Sequence, residues 1–195
     1  RVNRLSEEVP CPSTPEPALT PGPPIPDTLA PQTTIDVGPR AVEALGFATF
    51  QFGASEKGSR LDCRIDGGEW GYCSSPKSYS GLPEGSHTFE VRATDAAGNA
   101  DPTPASFTWA IDLTRPGISI TGGPSGTVAT GDASFDLTSP DDAEATFECR
   151  LDAAVNWTPC TSPRQLTGLA DGAHTFSARA VDPAGNASSP VASRA

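Results

Sequence analysis

The sequence predicts an all-β chain, two tandem β-sandwiches preceded by a Pro-rich extended segment. Three observations carry this. The chain repeats itself once, at an offset of 85–87 residues. Within each copy, short runs of alternating apolar and polar residues are bounded by Gly, Pro, Asp or Ser, and no helical period persists over 11 residues. Gly (19) and Pro (21) make up about a fifth of the 195 residues, with little Leu and no Met, which disfavours a helical bundle.

The repeat sets the boundaries. CSSPKSYSGLPEGSHTFEVRATDAAGN (73–99) aligns without a gap on CTSPRQLTGLADGAHTFSARAVDPAGN (160–186), with 15 of 27 positions identical. Upstream, LDCRID (61–66) matches FECRLD (147–152), and ATFQF (48–52) matches ASFDL (133–137). The slips in offset fall between 52 and 61 and between 66 and 73, so loops are expected there. Asp27 aligns with Asp112. The units are therefore 27–111 and 112–195, each the size of one small sandwich, and 1–26 is a lead with eight prolines. Those prolines cannot donate ladder hydrogen bonds, so the lead is expected to extend as polyproline II.

In the first unit the expected strands are 33–37, 47–54, 59–66, 69–73, 77–82, 87–95 and 105–111. Phe89, Val91 and Ala93 share one face of the sixth, with Glu90, Arg92 and Thr94 on the other. Phe107, Trp109 and Ile111 align in the seventh. A period of two with one apolar face means sheets packed on one side only. About seven such strands at 8–12-residue spacing is the pattern of an immunoglobulin-like sandwich.

GLPEGSHTFEVRATDAAGN carries a Leu-x-x-Gly-x-aromatic segment, then alternating apolar residues, then an Ala-x-Asp-x-x-Gly turn. This resembles the corner between the fifth and sixth strands of fibronectin type III and related bacterial Ig-like domains. With DCRIDGGEWGYC and DPTPASFTWAID, the likeness to tandem Ig-like repeats of large secreted or surface proteins covers nearly all of 27–195. It implies a non-enzymatic extracellular or cell-surface spacer or stalk, part of a larger protein or assembly. Its partners would be neighbouring domains or subunits. Alternatives are a structural subunit of a surface filament or virion decoration, and a carbohydrate-binding appendage of a secreted enzyme.

Five cysteines are present. Cys63 and Cys73 flank Asp66-Gly67-Gly68, a hairpin-turn sequence, and Cys149 and Cys160 hold the matching positions. Disulfides within each repeat are expected, in an oxidising compartment, because one pair per unit lacks the four ligands of a structural zinc. Cys11 is left over; it is either an intermolecular or inter-segment bridge or a free thiol. His87 and His174 align at a strand entry. A duplicated residue there reads as a corner that bonds the preceding backbone, as a tyrosine corner does, rather than as a catalytic base.

Thirteen basic residues against 24 acidic ones give a net charge of −11, which excludes a nucleic-acid footprint. No apolar run approaches 18 residues, so no helical membrane insertion is expected. The acids recur at turns: Asp95, Asn99 and Asp101 in the first unit, Asp182 and Asn186 in the second, with Asp112 at the join. These are the candidate Ca²⁺ ligands; the competing reading is turn formation through local side-chain bonds, with no cofactor. Trp70 and Trp157 precede the second cysteine of each pair. They are candidates for stacking on sugars, or else pack across the disulfide hairpin. Neither unit shows a nucleophile beside a base, so no enzymatic activity is expected.

The last expectation concerns the C-terminus. Ala192–Ala195 aligns with Ala105–Thr108, and nothing in the second unit matches Trp109-Ala110-Ile111. The last strand is truncated relative to the first unit. The expectation is that the natural chain continues, or that a neighbouring chain donates the strand by β-augmentation.

Overall fold

In a computed structural model, which describes residues 26–195, the chain is all-β, with no helix among the described residues. Cys11 and the lead up to residue 25 lie outside the described residues.

The first eight strands are β1 (Thr33–Val37), β2 (Val42–Glu43), β3 (Phe47–Ala54), β4 (Arg60–Ile65), β5 (Gly71–Tyr72), β6 (Lys77–Ser80), β7 (Gly85–Thr94) and β8 (Ala105–Ile111). They form two sheets, β1-β3-β6 and β2-β8-β7-β4-β5. Every pairing is antiparallel except β2 on β8. β2 escapes the sequence pattern because two residues show no period, and its parallel pairing with β8 is non-local.

Alternation positions the core. His87, Phe89, Val91 and Ala93 of β7 are buried, as are Ala48, Phe50 and Phe52 of β3. Phe50 stacks on Phe89 between the sheets, centroids 4.2 Å apart, and Trp109 of β8 meets Phe50 edge-on at 5.1 Å. Such aromatic pairs contribute roughly 0.5–1.5 kcal/mol beyond their area.

The remaining strands are β9 (Ser119–Ile120), β10 (Ala133–Phe135), β11 (Leu137–Thr138), β12 (Thr146–Leu151), β13 (Thr158–Cys160), β14 (Arg164–Leu166), β15 (Phe176–Val181) and β16 (Ala192–Arg194). One sheet runs β13-β12-β15-β16; facing it are the two-stranded ladders β9–β11 and β10–β14. Phe135 stacks on Phe176 at 4.3 Å, the same pair as Phe50 and Phe89. No sheet mixes strands from before and after Asp112 among the described residues.

The two halves differ at one end. β7 begins at Gly85, and its first residues pair Gly85↔Ile111, Ser86↔Ala110, His87↔Trp109 and Thr88↔Thr108. β15 begins only at Phe176, paired to Arg194. The matching stretch 172–175 pairs with no strand, because a strand needs a neighbour to satisfy its backbone.

Candidate functional site

Five features recur in both halves, and their geometry separates those that hold the fold from those open to a partner. Cys63 bonds Cys73, and Cys149 bonds Cys160, each across its own hairpin. Three of these sulfur-bearing side chains are buried, and Cys160 is half-buried.

His87 lies between two acceptors. Its Nε2 donates to the Pro83 carbonyl at 2.9 Å, and its Nδ1 faces Asp66 Oδ2 at 2.8 Å. Asp66 also accepts from Thr88 N, and adopts φ 51° at the hairpin turn. His174 repeats the arrangement with the Ala170 carbonyl at 2.9 Å and Asp152 at 3.0 Å. Two acceptors on one ring favour the doubly protonated imidazolium. The Pro83 carbonyl, with Asp66, outweighs burial and raises His87 above its ordinary value. Asp152, then the Ala170 carbonyl, does the same for His174, and His174 in return holds Asp152 low. Each histidine thus ties the corner before its strand to the hairpin turn. The sequence marked Asp66 as a turn residue and not as a histidine partner; the identical place of Asp66 and Asp152 in the two turns was the available signal.

Trp70 and Trp157 sit on the outer sheet face. The guanidinium carbons of Arg64 and Arg92 each lie 4.4 Å from the Trp70 ring centroid. Arg150 and Arg179 lie 4.4 and 4.9 Å from that of Trp157. The ion pairs behind the stacks swap strands: Glu90 on β7 holds Arg64, whereas Glu148 on β12 holds Arg179. Each ring already carries two guanidinium groups, so a sugar stacking on Trp70 or Trp157 would have to displace arginine. The arginines escaped the sequence reading because they meet the Trp only through strand register.

The acidic turns are closed loops. Asp95 accepts from Asn99 N and Nδ2, both at 2.8 Å, and Asp182 accepts from Gly185 N, Asn186 N and Asn186 Nδ2. Asp101 is buried, with Oδ2 accepting from Thr33 N and Oδ1 from Thr103. Burial pushes its carboxyl up, but the bonds from Thr103 and Thr33 win and hold it low. Among the described residues, the acids that come together are Asp27, Glu56 and Asp95, ligand atoms within 4.8 Å of one another. They do not include Asp101, Asp112 or Asp182.

The asparagines do something else. Asn99 Nδ2 donates to the Asp27 carbonyl at 3.1 Å, and Asn186 Nδ2 to the Asp112 carbonyl at 2.9 Å. Each half thus grips the segment that enters it. From the other side, Glu84 accepts from Thr114 Oγ1 at 2.9 and 3.0 Å and from Leu113 N at 3.3 Å. Gly117 N donates to Asp141 at 2.7 Å, and Pro116 is buried. Residues 112–117 are therefore bonded to both halves.

A cavity of about 770 Å³ with a mixed polar and apolar lining lies beside the end of β16. Phe135, Phe176, Leu151, Leu166, Leu169 and His174 line it. Their counterparts Phe50 and His87 touch Trp109 in the first half, with His87–Trp109 centroids 5.5 Å apart. Accordingly His87 is 5% exposed, and His174 28%.

No protein-family model and no curated protein matches the chain. Solved structures do. The fibronectin(III)-like modules of Clostridium thermocellum CbhA match at 16% identity over 83% of this chain and 91% of theirs, with TM-score 0.52. A 1.5-MDa bacterial ice-binding adhesin matches at 15% identity over 86% of this chain and 65% of that one, TM-score 0.45. A tetra-tandem repeat from the extending region of a large adhesion protein matches at 23% identity, over 84% of this chain and 48% of that one, TM-score 0.28. The first likeness is one of fold: the chain has the tandem fibronectin(III)-like, Ig-like sandwich architecture.

Proposed function

We infer that the chain is a non-enzymatic extracellular or cell-surface spacer, a stretch of stalk that holds neighbouring domains apart. The observation that carries this is the gripped segment 112–117. Glu84 holds it from one half, and Asn186 and Asp141 hold it from the other. A linker bonded on both sides resists bending better than a free one of the same length. Two hairpin disulfides support an oxidising, exported setting. No helix among the described residues is long and apolar enough to cross a membrane. Its partners are neighbouring domains or subunits, and where strand addition joins them the second half is the acceptor.

Spin labels carried on non-cysteine side chains at Lys57 and Thr161 test the spacer reading. Pulsed EPR should give one narrow distance distribution in the native chain and a broader one in Glu84→Ala. A native distribution already as broad as that of the variant would overturn it.

A further inference from the structure

The histidine corner of the first sandwich and the gripped segment between the sandwiches share one short turn. His87 Nε2 donates to the Pro83 carbonyl at 2.9 Å. The next residue, Glu84, accepts from Thr114 Oγ1 at 2.9 and 3.0 Å and from Leu113 N at 3.3 Å. The ring and the segment 112–117 are therefore joined through Pro83-Glu84. The other side of the ring is fixed. Asp66 Oδ2 lies 2.8 Å from Nδ1, Asp66 Oδ1 accepts from Thr88 N, and Asp66 N donates to the Thr88 carbonyl. The corner is tied by a bond from Leu82 N to the Gly46 carbonyl at 3.1 Å and bracketed by Gly81 and Gly85, at φ 70° and 128°. It is the side that can move.

We propose that His87 is a pH-sensitive catch for the joint: charged, it holds Pro83 and so seats Glu84 on Leu113 and Thr114; neutral, it releases the corner and the joint loosens. This rests on the spacer reading above and adds its regulation. The donor count carries it. An imidazolium has two N–H groups, one for each acceptor, and a neutral ring has one. Asp66 is the charged acceptor, and a charge-assisted bond is roughly twice as strong as a neutral one, so the remaining proton stays on Nδ1. Nε2 then turns a lone pair toward the Pro83 oxygen. Two acceptors face each other at 2.9 Å, and the carbonyl must move away. The surroundings of the ring set the direction. The hairpin turn brings Asp66 and the corner brings Glu84, both acids. From β8 comes neutral Trp109, its centroid 5.5 Å away, with Asp112 past the strand end. The Pro83 carbonyl first, then Asp66, raises the ring above its ordinary value of 6.5 against the opposing effect of burial. The catch is therefore closed at acid pH and opens as pH rises through the raised value.

Pulsed EPR on the full chain, labelled at Lys57 and Thr161 as above, is run at about pH 5.5 and about pH 9, a range over which a Glu carboxylate stays ionised. The distance distribution should be narrow at the lower pH and broader at the higher, with near-ultraviolet circular dichroism unchanged. His87→Gln should give the same width at both. The second measurement is an NMR titration of the His87 ring, told apart from the other histidine with His174→Gln. Thr114→Val removes the Oγ1 bond to Glu84 and no charge. Coupling is reciprocal, so losing the grip should lower the His87 midpoint by at least about 0.3 pH unit, a twofold coupling. A native distribution equally narrow at both pH values overturns the catch and leaves the spacer reading standing. So does a midpoint that Thr114→Val leaves unmoved, or broadening that comes only with loss of the dichroism signal. A native distribution already broad at the lower pH overturns both readings, since there is then no grip to release.

Discussion

Trp109→Ala should empty in the first sandwich the space that is open in the second. Trp109 is 2% exposed and packs on Phe50 at 5.1 Å, His87 at 5.5 Å and Phe107 at 6.5 Å. Truncating a buried Trp costs about 3–5 kcal/mol, as the transfer free energy of the ring plus the cavity left behind. For a domain of this size each kcal/mol lowers the melting temperature by roughly 4–8 °C. The first sandwich should therefore melt about 15–30 °C lower. Trp109→Phe should lose less than Trp109→Ala, because the phenyl leaves a smaller cavity. The phenyl keeps the contact with Phe50, and the change removes Nε1, a buried donor with no acceptor. Calorimetry of the full chain with two resolved transitions is the assay, and Phe176→Ala identifies which transition belongs to the second sandwich. The reasoning fails if Trp109→Ala costs under about 1 kcal/mol, or if the Phe and Ala variants are equally unstable.

Three further outcomes follow from the geometry. Replacing Cys63 and Cys73 together by Ser opens a loop with a sequence separation of 10. It should cost about 2.5–3 kcal/mol in a urea titration under oxidising conditions, and an unchanged midpoint would contradict a stabilising bridge. His87 is raised above its ordinary value of 6.5 by the Pro83 carbonyl and by Asp66. The stability this adds is full below the unfolded value and is lost as pH rises through the folded one. Melts of the first sandwich should therefore decline as pH climbs from about 6 upward. His87→Gln should flatten that slope; a slope that survives the substitution assigns it elsewhere. Trp70→Ala should lower stability by roughly 1–2 kcal/mol through loss of the two arginine stacks. It should leave a glycan array blank, as for the native chain; binding that Trp70→Ala abolishes would favour the sugar-stacking alternative.

Local chemistry is what the sequence by itself determined. The repeat, the alternation in HTFEVRATD and the turn at Asp66-Gly67-Gly68 are written in adjacent residues, because side-chain period and turn conformation are set over a few bonds. That suffices for the sandwich class, for β1, β3 and β8 to the residue, and for the expectation that each cysteine pair spans its own hairpin. Tertiary structure decided the long-range relations. Arg92 meets Trp70 only because β4 lies between β5 and β7. Glu84 grips Thr114 across 30 residues of sequence, and Asp27 meets Glu56 and Asp95 across a whole unit. The acids named from the turns also clasp their own loops, through hydrogen bonds that only the folded chain shows. That Phe135, Leu151, Leu166 and Phe176 line one cavity follows only from packing, because they come from separate segments brought together by the fold.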